Sequence, residues 1–196
     1  MKKVLIFFMV FLSYTLSAQY RTIFQENDLY FSGFGGPLFS FTTIDNEFAF
    51  LKGGGGAVLI NAQAIIGGYK YRSQNDINPS IKKYRQEGYQ LSYEEGGFWL
   101  GWIFNPEKPV HFTANVFSGW GNVKIENVQN SFSDKIYIIT PTIEMEINVT
   151  SWFRVAAGVN YRFVTGVDRI EEYKDNDFSS PGVLTSFKFG WFRTKR

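Results

Sequence analysis

Apolar and polar residues alternate with a period of two along much of this chain. Ile143, Met145 and Ile147 stand between Thr142, Glu144, Glu146 and Asn148. Phe153, Val155, Ala157, Val159, Tyr161 and Phe163 interleave with Arg154, Ala156, Gly158, Asn160 and Arg162. Val183, Thr185, Phe187, Phe189 and Trp191 interleave with Leu184, Ser186, Lys188 and Gly190. Successive side chains of a β-strand point to opposite faces, so each run has one apolar face and one polar or small face. Segments between turn signals predict eight strands, near 28–43, 47–60, 63–73, 88–104, 110–125, 135–148, 152–167 and 183–194. Several exceed the ~9–11 residues that cross a bilayer at a tilt, whereas strands of soluble sheets average ~5–6.

The joins sort by length. Those at 61–62, 105–109 and 149–151 are short. Those at 74–87, 126–134 and 168–182 are longer and charged, and only the join at 44–46 departs from this order. Short turns at one end and long loops at the other are the pattern of an outer-membrane barrel. The predicted fold class is therefore all-β, an eight-stranded antiparallel up-and-down transmembrane β-barrel, with both termini at the periplasmic end.

Such a barrel turns its apolar face to lipid and its polar face inward. Trp102, Phe104 and Phe112 flank one short join, Trp152 and Phe153 the next, and Trp191 lies near the last strand's end. Together they form an expected periplasmic-rim girdle of aromatics. Eight strands leave a lumen that side chains fill, here charged and polar ones. Buried charges persist only when paired. Glu144, Glu146, Arg154 and Arg162 are thus expected to form an interior ion-pair network, with Lys188 as a further member. Gly53–Gly56 and the other strand glycines suit bends and close contacts. Strand four is expected to carry a bulge at Glu95–Gly97, because its apolar phase shifts there.

Composition adds export and removes several chemistries. Lys2 and Lys3, the apolar run Val4–Leu12 and the small Ala18 have the order of a signal peptide cleaved after residue 18. The expected organisation is a signal peptide over 1–18, a periplasmic segment over 19–27 and a barrel domain over 28–194. Cleavage removes Lys2 and Lys3 and leaves equal numbers of basic and acidic residues, so charge points to no nucleic-acid partner. The chain has no Cys and a single His, which excludes disulfides, thiol nucleophiles and multi-histidine metal centres. No cofactor is expected.

Gly35-Gly36-Pro37, Gly53–Gly56 and Ile66-Gly67-Gly68-Tyr69 occur in that order. Asn148-Val149-Thr150-Ser151-Trp152-Phe153-Arg154 and Tyr161-Arg162-Phe163-Val164-Thr165-Gly166 follow. With them the chain resembles small outer-membrane β-barrel proteins of Gram-negative bacteria, particularly a group common in Bacteroidota. The resemblance implies the barrel and the membrane and no defined activity. Such barrels usually end in an aromatic residue, whereas Trp191-Phe192 is followed by Arg193-Thr194-Lys195-Arg196.

The expected function is non-enzymatic: a structural, surface-interaction or complex-subunit role in the outer membrane. Its partners would be outer-membrane lipid and lipopolysaccharide, and an envelope protein met through loops 74–87, 126–134 and 168–182. Two alternatives are a lipid A-modifying barrel enzyme and a soluble exported barrel with an apolar ligand inside. The enzyme needs a general base beside a hydroxyl, yet His111 falls at the periplasmic end, as an interfacial or lumen-end residue. Asp168, Glu171, Glu172, Asp175 and Asp177 could offer oxygens to a divalent cation, but a solvated surface loop is the simpler expectation. The same holds for Lys82, Lys83, Tyr84 and Arg85.

Overall fold

The computed structural model describes residues 29–192. The expected signal peptide and 19–27 segment lie outside the described residues. Eight strands close into one antiparallel barrel in sequence order. They are β1 (Phe31–Ile44), β2 (Glu47–Ile60), β3 (Ala64–Ser73), β4 (Gln90–Phe104), β5 (Val110–Glu126), β6 (Ser131–Asn148), β7 (Phe153–Thr165) and β8 (Ser180–Trp191). Two short helices, α1 (Lys82–Gln86) and α2 (Asp175–Phe178), lie in the long joins.

Two hairpins turn on residue pairs with positive φ: Asp45 and Asn46 at 54° and 60°, Asn61 and Ala62 at 53° and 56°. This is the I′ geometry that matches strand twist and that Asn and Asp tolerate best. The join at 126–134 is largely strand, because β5 and β6 stay paired out to Glu126 and Ser131.

The two faces separate cleanly. Phe98, Leu100, Phe112, Val116, Ile143, Val159, Phe163 and Val183 stand exposed on the outer wall. Glu144, Glu146, Arg154 and Lys188 are buried in the lumen. The lumen is not charged and polar throughout, as the strand pattern suggested. Midway along it lies a layer of Leu38, Leu51, Tyr69, Tyr71, Trp99, Phe117 and Leu184. Rings of this size fit an eight-stranded barrel only where the opposing wall lacks side chains. A Cβ on inward-facing Gly55 would stand 3.2 Å from Cε3 of Trp99.

The expected bulge in β4 is absent, for the same reason. Pairing runs unbroken from Glu94↔Asn122 through Glu95↔Gly121 and Gly96↔Trp120 to Gly97↔Gly119. Leu91, Tyr93 and Trp99 all face inward on one continuous phase, so the apparent shift records a change of lumen chemistry rather than an extra residue. Gly97 and Gly119 instead pinch the wall: a Cβ on Gly97 would stand 2.4 Å from the Gly119 Cα.

Candidate functional site

Three groups of buried polar side chains stand out, at the turn end, at mid-lumen and beneath the long loops. At the turn end Lys188 reaches both carboxylates, with Nζ 2.5 Å from Glu146 and 3.2 Å from Glu144. Arg154 donates to Glu146 at 2.9 Å. Antiparallel register brings these groups together, since Arg154 opposes Lys188 and His111 opposes Glu146. His111 joins the network with Nε2 3.2 Å from Glu146, while Nδ1 lies 3.1 Å from the Lys108 carbonyl. Trp99 donates to Asn115 at 2.9 Å and Asn115 donates to Glu144 at 2.8 Å. The cations also lie over rings: Arg154 is 3.9 Å from the Phe192 centroid, and Lys188 is 5.4 Å from Phe34 and from Trp99. Ion pairs and cation–π contacts thus replace the water that these charges would otherwise need.

Arg162 does not join this network. Glu144 opposes Gly158, and Arg162 lies four residues further along β7, about 13 Å at the rise of a strand. Its guanidinium serves the other end of the barrel. Nε donates to the Phe178 carbonyl at 3.0 Å, and Nη2 donates to the Thr43 carbonyl at 2.8 Å and to Ser180 Oγ at 3.0 Å. It lies over the Tyr93 ring, 4.9 Å from the centroid, and Tyr93 donates to Glu95. Arg162 and Glu95 share the wall of a lumen cavity of about 10 Å³ with Tyr71, Thr140 and Asn160. That is room for about one water molecule.

The expected rim aromatics do gather at the turn end. Phe104, Phe112 and Trp191 are exposed there, and Trp102 and Phe153 half-buried, on the outward phase of their strands, and exposed Trp152 lies in the turn just before β7. Phe189 links two of them, 4.8 Å from Phe153 and 6.2 Å from Trp152. Phe192 takes the opposite phase and is buried at the lumen mouth.

In the long loops Lys82, Lys83, Arg85, Asp168, Glu171 and Glu172 are exposed, whereas Tyr84, expected to be solvated with them, is buried. The loops fold together over the barrel mouth. Buried Tyr84 stacks on Tyr173 at 6.0 Å and meets Tyr89 edge-on at 5.3 Å, while Tyr173 touches Phe178 at 5.4 Å. Ile77, Val167 and Ile170 fill the space below. Two carboxylates hold this cap to the barrel. Asp45, in the β1–β2 turn, accepts from the Ser80 amide at 2.6 Å, from the Ser80 hydroxyl, and from the Tyr173 hydroxyl at 2.7 Å. Asp134 accepts from the amides of Arg169 and Ile170 at 2.9 and 3.0 Å. In the acidic loop, Asp175 accepts from the Val167 amide and Asp177 from the Lys174 amide. Among the described residues no group of three or more His, Cys, Asp or Glu side chains could hold a metal ion.

Burial, then the hydrogen bond to Asp45 and the charge of that carboxylate, push the Tyr173 phenol above its ordinary value. Burial does the same to Tyr84. A group whose folded-state value is raised stabilises the fold below its unfolded value, near 10 for tyrosine, and that share is lost as pH rises towards the folded value. Protease cleavage within 166–179 is therefore expected to stay flat from neutral pH to about pH 10 and to rise above it. Tyr173→Phe should cleave faster at neutral pH and show a smaller alkaline rise. An unchanged alkaline profile in that variant would remove Tyr173 from the account.

Closed topology, an apolar outer wall and a paired-charge lumen define a class: small eight-stranded barrels with inverted faces. No family model and no curated protein matches the chain. Among solved structures, the fold is similar to Neisserial surface protein A (NspA), with a TM-score of 0.59 and 11% identity over 83% of this chain and 97% of that one. Ail, the attachment invasion locus protein of Yersinia pestis, gives a TM-score of 0.49 at 12% identity over 82% of this chain and 97% of that one. Ail in complex with the heparin analogue sucrose octasulfate gives 0.49 at 13% identity over 84% and 99%. The likeness to NspA is one of fold.

Proposed function

We propose that this chain is an integral outer-membrane barrel of a Gram-negative bacterium, of the small kind common in Bacteroidota. It is exported through a cleaved signal peptide and works without enzymatic chemistry. Its role is structural or adhesive: it presents the folded loop cap at the cell surface, to an envelope partner or as a subunit of a larger complex. The carrying observation is the reversal of faces. Phe98, Phe112, Ile143, Val159 and Trp191 stand on the outside of a barrel whose inside holds the carboxylates of Glu95, Glu144 and Glu146 with Arg154, Arg162 and Lys188. An exposed apolar wall of this extent suits contact with lipid acyl chains. The cap supports the surface role, because the two long loops and the β1–β2 turn form one ordered surface.

Cell fractionation combined with gel mobility before and after boiling tests the membrane reading. The expected result is protein in the outer-membrane fraction whose unboiled form migrates differently from the boiled form. Recovery in the soluble periplasmic fraction would overturn it.

A further inference from the structure

The outer wall carries a cluster of three cations with a single carboxylate beside them. Lys52, Lys70 and Arg72 point outward from β2 and β3 and are all exposed. Lys52 opposes Arg72, and Lys70 opposes Gly54, in the β2–β3 register. Side chains directly opposite on one face of a sheet lie ~5 Å apart at Cβ, where like charges repel. The carboxylate beside them is Glu94, which opposes Arg72 and lies 3.9 Å from the Lys70 ammonium. Neither Lys52 nor Arg72 forms an ion pair among the described residues, and Lys124, further round the wall, is held by Glu126.

Their height on the wall matters. Lys70 opposes Gly96, Gly96 opposes Trp120, and Trp120 opposes Tyr137. Lys70 thus shares a register row with two exposed amphipathic rings, which favour a membrane–water boundary, and Lys52 and Arg72 pair two residues nearer the loops. Lys52 sits below Phe48 and Phe50 on its own strand, within an otherwise apolar wall. Turnwards of the cations, the outward positions Gly54, Gly56 and Gly68 carry no side chain. A Cβ would stand 3.5 Å from its nearest neighbour at Gly54 and 3.4 Å at Gly68, so the barrel leaves room for one there. The wall is therefore charged above and bare below.

We propose that Lys52, Lys70 and Arg72 bind the phosphorylated headgroup of an outer-leaflet glycolipid, with an acyl chain lying against the bare wall beneath them. Phosphate supplies the missing negative charge and can take bidentate donation from Arg72. Lysines near a lipid surface extend their ammonium groups to the headgroup level. The site rests on the membrane reading above and gives that reading a specific lipid contact.

The test uses the full mature chain, folded in detergent micelles and titrated with lipid A bearing both phosphates or with lipid A enzymatically stripped of them. Bound lipid is counted by native mass spectrometry. Each cation near an anionic lipid surface contributes about fivefold to attraction, so K52Q/K70Q/R72Q is expected to bind phosphorylated lipid A on the order of 100-fold more weakly. A loop variant, K82Q/K83Q/R85Q, should bind as the unaltered chain does. Equal binding by the wall variant would overturn the proposal, and so would loss of binding in the loop variant. Should the wall variant not fold, the unaltered chain decides: equal affinity for phosphorylated and stripped lipid overturns the site. Full competition by millimolar inorganic phosphate would also overturn it, by showing a free-anion site. Protein found in the soluble fraction removes the membrane reading and the site together. A membrane-embedded wall variant with undiminished lipid binding removes the site alone.

Discussion

Replacing Lys188 by methionine is expected to be among the most damaging single changes available in this barrel. The side chain is 2% exposed and lies between two carboxylates that are themselves fully buried. Without it Glu146 keeps Arg154 and His111, whereas Glu144 keeps only the amide of Asn115. Removing one partner of a buried pair leaves an uncompensated charge and typically costs about 3–5 kcal/mol. The unboiled, fast- or slow-migrating folded form should therefore unfold at a markedly lower urea concentration or temperature. Removing both sides together should do much less harm. Replacing a whole buried ionic group by apolar residues of similar volume is often close to neutral, so Glu144→Met, Glu146→Met, Arg154→Met and Lys188→Met combined should recover most of the loss. A combined variant no more stable than K188M alone would show that packing, not charge, decides the outcome.

The second large effect is expected at Asp45, and it should be local. Three donors converge on its carboxylate, two from Ser80 and one from Tyr173. Hydrogen bonds to a charged group contribute about 1.5–3 kcal/mol each. Asp45→Ala removes all three and leaves the Tyr173 hydroxyl buried without its acceptor. The cap should open while the strands below stay paired. Limited proteolysis should then cut within 74–89 and 166–179 on the order of 100-fold faster, following an opening energy reduced by about 3 kcal/mol. The gel shift on boiling should persist. Loss of that shift in D45A would mean that the cap and barrel unfold as one unit.

Much of the wall could be read from alternation, because a strand's phase is local and each face meets one medium. Ile143, Met145 and Ile147 against Glu144 and Glu146 fixed which side of β6 is outside, and the turn-end aromatics followed from the same phase. Lys188 and Arg154 could be placed beside the carboxylates because all four fall near the same end of their strands. Arg162 could not, since phase says which face a residue takes and not how far along the lumen it lies. That distance depends on register, and four residues separate Arg162 from the position opposite Glu144. The apparent bulge in β4 had a related origin. Apolar residues at Leu91, Tyr93 and Trp99 suggest lipid, whereas they line a mid-lumen layer that inward glycines on neighbouring strands make possible. The cap was the least accessible part. Its contacts join Asp45 to Tyr173 and Asp134 to Ile170 through side chains placed without periodicity. His111, by contrast, carried a usable signal, since Phe112, Ala114 and Val116 face out or half out and leave its phase to the lumen.

Lys188 sits on the last strand, whereas the two carboxylates that it neutralises sit on the sixth. Any partly built sheet that ends at β7 therefore carries three carboxylates, Glu95, Glu144 and Glu146, against two arginines, Arg154 and Arg162, on the face that must become dry. Phe192, which covers the Arg154 guanidinium, arrives later still, one residue after β8 ends. Closure of the β1–β8 seam and electrical neutrality of the lumen are thus a single event in the chain's assembly. A molecule stalled one strand short keeps its inner face wetted and cannot pass for a finished one.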